Sequence, residues 1–344
     1  MGHGCSLPVV LKKGNDGKNE APGKQDIHPC GIRPLYILKE KSMQAQMRQP
    51  AKACYPLILG KKDIHCCPKP LHYLSIPKPI MIEGLVSVIM PTYNSSKYLA
   101  DSIESVLNQT YQHLELLITD DCSSDADTIN LLMKYQQEDD RVKVVFLKEN
   151  GGPGVARNNS IERAQGQYIA FCDSDDRWLP RKLEVQLAFM KENHCALCCS
   201  SYIICDESSR NIGVNITPAR ITYGMMKRDD KVGCLTAIYD VKALGRKYFM
   251  PTMRKRQDWA FFLNLIADCK EANGIKEPLA YYRRRTNSVS SSKLSLVKFN
   301  IAVYRQCLGF SRTKSLLYFA FCFMPTYAVK VLKQLVDSYK FTHC

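Results

Sequence analysis

Gln167-Tyr-Ile-Ala-Phe-Cys-Asp-Ser-Asp-Asp-Arg-Trp178 joins a short apolar run directly to three carboxylates. The run Tyr168 to Cys172 predicts a buried strand, and Asp173, Asp175 and Asp176 follow its end. In extended backbone, side chains two apart share a face, so Asp173 and Asp175 can converge on one small target. Carboxylates that close repel and perturb each other unless a cation lies between them. A hard divalent ion such as Mg²⁺ or Mn²⁺, itself holding phosphate oxygens, suits that place. An acidic loop that caps the helix expected from about Leu179 accounts for the same residues. The neighbouring chain decides between the two.

Upstream, strand and helix patterns alternate. Leu85-Val-Ser-Val-Ile-Met90 is a β-branched run closed by Pro91, which predicts a strand and a break. Asn94 or Ser95 can cap a helix in which Leu99, Ile103, Val106 and Leu107 recur at helical spacing. Leu114 to Thr119 predicts a second strand, ending in Asp120-Asp121, with a helix from about Asp125 to Gln137. A third strand is expected from Val142 to Leu147. Asn150-Gly-Gly-Pro-Gly154 then turns into a helix with Pro153 in its first turn, and Gly166 stops that helix. Four strand–helix repeats imply right-handed crossovers and an α/β fold on a largely parallel sheet. Ligands of such sheets sit at the carboxyl ends of strands. Pro91–Asn94, Asp120-Asp121 and Asp173–Asp176 all fall there, which favours a site over a cap. The glycine loop is no dinucleotide fingerprint, because Arg157 occupies the third glycine position and the loop follows the third strand. A helix start with Arg157 nearby could face an anion, and a plain turn explains the glycines as well.

Residues 1–84 have a different texture. They hold thirteen Lys and Arg against six Asp and Glu, and the whole chain carries +15. Scattered Pro, Gly and Lys and the lack of apolar periodicity predict a low-order basic extension. Cys30, Cys54, Cys66 and Cys67 with His28, His65 and His72 invite zinc, yet no paired CxxC or HxxxH spacing occurs, which favours an unliganded tail. Met81 stands just before the first convincing strand, so a natural start there is expected. The positive surplus suits nucleotide phosphates or acidic lipid headgroups. Nucleic acid is set aside, since no helix-turn-helix, zinc-finger or RNP-like pattern accompanies the charge. The sixteen Cys without an export signal suggest reduced thiols in a cytosol.

Downstream, a helix is expected from about Pro180 to Glu192 and a strand from Ala196 to Ile204, whose clustered Cys read as small buried thiols. Asp258, in Gln257-Asp-Trp259, opens an apolar helix as either a cap or a general base. Tyr281-Tyr-Arg-Arg-Arg285, with Asn287 and Ser288, forms a basic segment that either closes over phosphates or stays solvated. Ser315 to Val329 is uncharged and interrupted by Pro325, shorter than the roughly 20 residues of a spanning helix. With its flanking lysines it suits an anionic membrane surface, and a core helix is the alternative.

Taken together, these residues resemble the inverting glycosyltransferases of family 2, which have the GT-A fold. The resemblance covers about residues 85–290. It rests on Val86-Ser-Val-Ile-Met-Pro-Thr-Tyr-Asn94, Ser105-Val-Leu-Asn-Gln-Thr-Tyr111, Asp120-Asp121, Gly154–Asn158, Asp173-Ser-Asp-Asp176 and Gln257-Asp-Trp259, in the family's order. Within the family the likeness is to bacterial surface-polysaccharide enzymes of the teichuronic acid type. It implies a nucleotide-sugar site of Pro91, Thr92, Tyr93, Asn94, Asp121, Arg157 and Asp173, with Tyr93 stacked on the base and Asp121 accepting its imide N–H. It further implies Asp173 and Asp175 as metal ligands for Mg²⁺ or Mn²⁺, and Asp258 as the base that deprotonates the acceptor hydroxyl. The processive synthases' QxxRW is missing, which implies single-sugar transfer.

The expected architecture is therefore an extension at 1–84, a GT-A domain at 85–295 and a membrane-associating helical segment at 296–344. The expected activity moves a sugar from a nucleotide donor, UDP-linked by preference, to a lipid-linked or growing polysaccharide at the cytoplasmic face of the membrane. A nucleotidyltransferase is the first alternative, but no Gly-rich Arg-Lys phosphate signature follows strand one. A non-catalytic basic membrane- or zinc-binding adaptor is the second, and it predicts a dispensable acidic triplet.

Overall fold

A computed structural model describes residues 81–285 and 293–343. The expectations placed on Cys30, Cys54, Cys66, Cys67 and their neighbouring histidines, and on Asn287 and Ser288, fall outside those residues.

The first half alternates as the sequence periodicity predicts. Its order is β1 (Ile82–Thr92), α1 (Ser96–Leu107), β2 (Leu114–Asp120), α2 (Ala126–Glu138), β3 (Val142–Phe146), α3 (Pro153–Arg163) and β4 (Gly166–Phe171). Each helix has a local cause. α1 buries Tyr98, Leu99, Ser102, Ile103 and Val106, a stripe at three- and four-residue spacing. α2 starts behind Asp125, whose side chain accepts from Asp127 N. α3 places Pro153 in its first turn behind Gly152 at φ 87, a backbone conformation that favours glycine. Pro91 is not a break: it lies inside β1, opposite Thr119 of β2.

β1 pairs in parallel with β2 and β4, and β2 with β3. Beyond β4 the chain gives β5 (Arg177–Trp178), α4 (Lys182–Glu192), β6 (Leu197–Cys205), β7 (Asn211–Asn215), β8 (Arg220–Thr222), α5 (Tyr223–Arg228), β9 (Ile238–Asp240), α6 (Val241–Leu244), α7 (Gln257–Cys269) and β10 (Glu271–Arg283). The sheet order is β3-β2-β1-β4-β9-β6-β10-β5, with β7 on β6 and β8 on β10. β9 runs antiparallel to both β4 and β6, and β6 and β10 are parallel. The nucleotide half is thus parallel and the other half mixed.

Two cores cover the two faces. Ile169 and Phe171 of β4 join one, where Phe171 meets Phe261 edge-on at 5.5 Å; Ala170 and Cys172 join the other. Far from the strands' carboxyl ends, Ser87 Oγ donates to Glu115 Oε1 at 2.6 Å and accepts from Gly166 N at 2.9 Å. Lys143 Nζ reaches Glu115 Oε2 at 2.8 Å. This buried network fixes the register of β1, β2 and β4 at one end, leaving the loops at the other end to carry function.

The chain ends in α8 (Lys293–Leu308), α9 (Arg312–Tyr318), a π-helical turn at Phe319–Phe323 and α10 (Met324–His343). Pro325 does not interrupt this segment. It follows the wide turn, in the first turn of α10, where a missing N–H is tolerated. Arg312–His343 therefore forms one helical rod, long and apolar enough by length and composition to cross a membrane. One side of it is docked: Phe323 is buried against Trp259, ring centroids 5.7 Å apart.

Candidate active site

Three strand ends open into one cavity of about 1320 Å³. Pro91, Thr92, Tyr93 and Asn94 line it from the end of β1, Asp121 from the end of β2, and Asp173 to Asp176 from the end of β4. Arg157 of α3 and Asp258 of α7 line it as well. Every residue singled out from the sequence for donor, metal or base thus borders the same space.

The acidic stretch is a turn, not a strand end. β4 stops at Phe171, and Asp176 N donates to Asp173 O at 3.1 Å. Asp173 and Asp175 meet at the cavity because the chain reverses there, so strand alternation is not the reason. Asp173 Oδ1 pairs with Arg157 at 2.5 Å, and Asp175 Oδ2 with Arg285 at 2.7 Å. Asp176 is buried and accepts from Arg283 N at 2.9 Å. Burial raises the pKa of Asp175, the charge of Asp173 raises it further, and Arg285 opposes both. Burial and the charges of Asp175 and Asp173 push Asp176 well above the carboxylate range.

That electrostatic tension tests the site for a cation. A divalent ion between Asp173 and Asp175 would relieve the repulsion. Among the described residues no set of three or more His, Cys, Asp or Glu forms a metal cluster, so ligand oxygens would have to complete the shell. The residues fit an ion that arrives with a phosphate-bearing partner. Thr92 Oγ1 and Arg157 Nε, both buried and without a hydrogen-bond partner, add a polar capacity that the protein itself does not use.

Several expected ligands have a structural duty in addition. Asp121 accepts from Gly151 N and Gly152 N, each at 2.8 Å, and so clamps the glycine loop to β2. Asn94, at φ 45, accepts from Ser124 N and Asp125 N and latches the β1 loop to the start of α2. Tyr93 is 49% exposed on the cavity rim, so its ring face is open to a stacking partner. Arg157 is no free cation: burial works against its charge, yet Asp173 beside it raises its pKa above the ordinary value. Asp258 is the second residue of α7, and its Oδ1 accepts from Trp259 N at 2.9 Å.

A family profile described as "Glycosyl transferase family 2" matches residues 87–251. A putative teichuronic acid biosynthesis glycosyltransferase, TuaG of Bacillus subtilis, is 43% identical over 225 residues, covering 65% of this chain and 88% of the relative. The chain belongs to glycosyl transferase family 2. An Escherichia coli relative, the UDP-Glc:alpha-D-GlcNAc-diphosphoundecaprenol beta-1,3-glucosyltransferase WfgD, is 35% identical over 219 residues, 63% of this chain and 84% of its own length. Among solved structures, S. aureus TarS with UDP-GlcNAc superposes with a TM-score of 0.53 at 22% identity, over 69% of this chain and 73% of that one; this likeness speaks to the fold. The protein is a glycosyltransferase of the GT-A type.

Residues at and behind the glycosyltransferase cavity also take roles that the sequence did not assign. Arg283, expected in a basic segment that either closes over phosphates or stays solvated, is instead the buried end of β10. Its guanidinium donates to Asp175 O and Ser209 Oγ and lies over Tyr98, 4.3 Å from the ring centroid. It bolts the acidic turn in place. Asp230 lines the cavity near Asp258. Burial first, then the charge of Asp258, holds its carboxyl at about 7, against the pull of Lys330 and Arg256. Lys330 reaches there from α10 and pairs with Asp229 Oδ2 at 3.1 Å. No local pattern announces contacts between residues one hundred positions apart. Of the clustered cysteines, Cys198, Cys199 and Cys205 are buried free thiols on β6, as expected, whereas Cys195 is half-buried and precedes the strand.

Proposed function

We propose that this enzyme transfers one sugar, with inversion, from a UDP-sugar to a hydroxyl of a lipid-linked or growing surface polysaccharide, at the cytoplasmic face of a membrane. The observation that carries the reading is the shared cavity: the acidic turn and the β1 and β2 loops border it, and so does Asp258. Tyr93 stacks on the base at the rim, and Asp121 holds the Gly151–Gly152 loop beside it while offering its remaining lone pairs to the base N–H. Asp173 and Asp175 would hold Mg²⁺ or Mn²⁺. When bound, that ion supplies Lewis-acid stabilisation to the departing diphosphate. Arg157 keeps Asp173 aimed into the site.

Asp258 takes the acceptor hydroxyl's proton. Its Oδ1 is engaged by Trp259 N, so the proton passes to Oδ2. One carboxylate suffices on this side; hydrolases that use two must also protonate the leaving group. The names of the relatives TuaG and WfgD support a surface-polysaccharide acceptor, and WfgD's name supports a sugar-diphosphate lipid. Membrane contact is supported by the exposed Leu332, Leu335, Val336 and Tyr339 of α10 beside its lysines. The test is a panel of nucleotide sugars with Mn²⁺ and short-chain lipid-diphosphate sugars, read by product mass and anomeric configuration. The reading expects a β-linked product from an α-linked UDP-sugar; donor turnover that yields only a nucleotidylated product would overturn it.

A further inference from the structure

The cavity extends past Asp258 to a wall built from two distant segments. Arg254, Lys255 and Arg256 precede α7, and Lys330 and Lys333 project from α10. On α10 the spacing divides the helix in two. Thr326, Lys330, Lys333 and Asp337, three and four apart, line the cavity, while Leu332, Leu335, Val336 and Tyr339 are 52–66% exposed on another face. The helix is pinned in this rotation. Lys330 Nζ donates to Asp230 O at 2.6 Å, and Ser338 Oγ meets Val214 N at 3.1 Å over Gly213, where an added Cβ would collide.

Six Lys and Arg side chains border this part of the cavity against three carboxylates, Asp230, Asp258 and Asp337. Asp229 serves both Lys231, at 2.9 Å, and Lys330, at 3.1 Å, while Asp230 faces the charges of Lys330 and Arg256. Among the described residues no carboxylate lies within 4 Å of the Arg254 or Lys333 charge. Arg256 stands at φ 66, a left-handed conformation for a non-glycine residue, and its Nε is buried without a hydrogen-bond partner. Such a conformation is strained and is retained where the surroundings hold it. A hydroxyl acceptor needs a base and no cations, and the donor's diphosphate belongs to the acidic turn.

We infer that the Arg254–Arg256 segment and the Lys330/Lys333 face of α10 form an acceptor subsite for a phosphate group, the phosphate ester through which the acceptor sugar is joined to its carrier. This rests on the reading of Asp258 as the acceptor-side base. The phosphate can come from a lipid diphosphate or from a phosphodiester in a polymer. The lipid source is favoured, because the helix that supplies the two lysines also exposes an apolar stripe on which a prenyl chain or bilayer can rest.

The experiment uses the full chain and three acceptors with the same terminal sugar: a short prenyl diphosphate, a soluble phosphodiester glycan and a neutral octyl glycoside. The prenyl diphosphate should exceed the octyl glycoside in kcat/KM by at least tenfold, with the advantage shrinking as salt rises. Arg254→Ala with Lys333→Ala, both at exposed positions, should collapse that ratio toward one through KM, and Arg254→Lys with Lys333→Arg should restore most of it. An equal gain for the phosphodiester glycan assigns the same subsite to a polymer phosphate. An unchanged ratio in the alanine variant overturns the inference. Binding of the fluorescent prenyl-diphosphate sugar, measured without donor or metal, separates the two readings. If no acceptor is glycosylated but the alanine variant still binds this probe at least tenfold more weakly, the subsite stands and the proposed reaction falls; equal binding removes the subsite.

Discussion

Asp175→Asn preserves side-chain size and removes one charge from the acidic turn. Without metal the loss is modest: the variant gives up the ion pair with Arg285 at 2.7 Å and gains relief from the burial and Asp173 repulsion that raise Asp175. With metal the difference is large. An ion present at 100 times its Kd stabilises a one-site protein by about 2.7 kcal/mol, roughly 5–10 °C in Tm for a unit of this size. If the variant binds the ion about a hundredfold more weakly, the same concentration adds only about 0.4 kcal/mol, or about 1 °C. The pH dependence follows from the raised carboxyls. A carboxyl whose folded pKa lies above its unfolded value costs stability as pH rises through that interval. The metal-free wild type should therefore lose stability on going from mild acid to neutrality, and the gain from metal should grow over the same range. Calorimetric melting of the full chain with and without Mn²⁺ and UDP, at two pH values, reads both effects. Equal Mn²⁺-induced shifts in wild type and Asp175→Asn would refute the assignment of the ion to this turn.

Asp258→Asn should leave UDP-dependent stabilisation within about 1 °C of wild type while lowering kcat by at least 10²; parallel loss of donor binding would move Asp258 out of the base role. Asp230, held at about 7 by burial and Asp258, lies above an open-chain value near 4, so it costs stability as pH rises from 4 to 7 and costs it fully above 7. Asp230→Asn should therefore stabilise the protein at pH 8, by up to about 4 kcal/mol, and hardly at pH 4, as urea unfolding would report. Lys182 is buried, 3.9 Å from the Trp178 ring centroid, with its Nζ unpartnered, and burial lowers its pKa to about 7. Its penalty grows as pH falls from 10.5 to 7, so Lys182→Met should stabilise most below pH 7, by up to about 5 kcal/mol, and a destabilised variant at pH 6 would contradict this.

The parallel half of the sheet was legible because β1, β2, β3 and β4 are short, largely apolar runs, and the first three are each followed by a helix. The site's position followed from the same alternation, since crossovers bring the three loops to one edge. The second half was legible only in part: α4, β6 and the start of α7 lie where their apolar runs place them, but the rest of the sheet does not show in the sequence. β8 and β9 are three residues each, too short to show a period, and their direction is set by partners far along the chain. The duties of Asn94, Asp121 and Arg283 were hidden for a similar reason: their partners are backbone amides and a turn that only the folded chain brings near. Composition alone marks Ser315 to Val329, which reaches only the first turns of α10, as an interfacial segment. The cavity face of Lys330 and Lys333 depends on docking against β7 and the Asp229–Lys231 loop, which sequence spacing does not encode.

The most direct test of the account is a crystal of the full chain with UDP and Mn²⁺, with anomalous scattering collected at the manganese edge. The account predicts one strong anomalous peak between the diphosphate and the carboxylates of Asp173 and Asp175, with the uracil ring on Tyr93. Manganese or nucleotide bound elsewhere, with the acidic turn unligated, would contradict it.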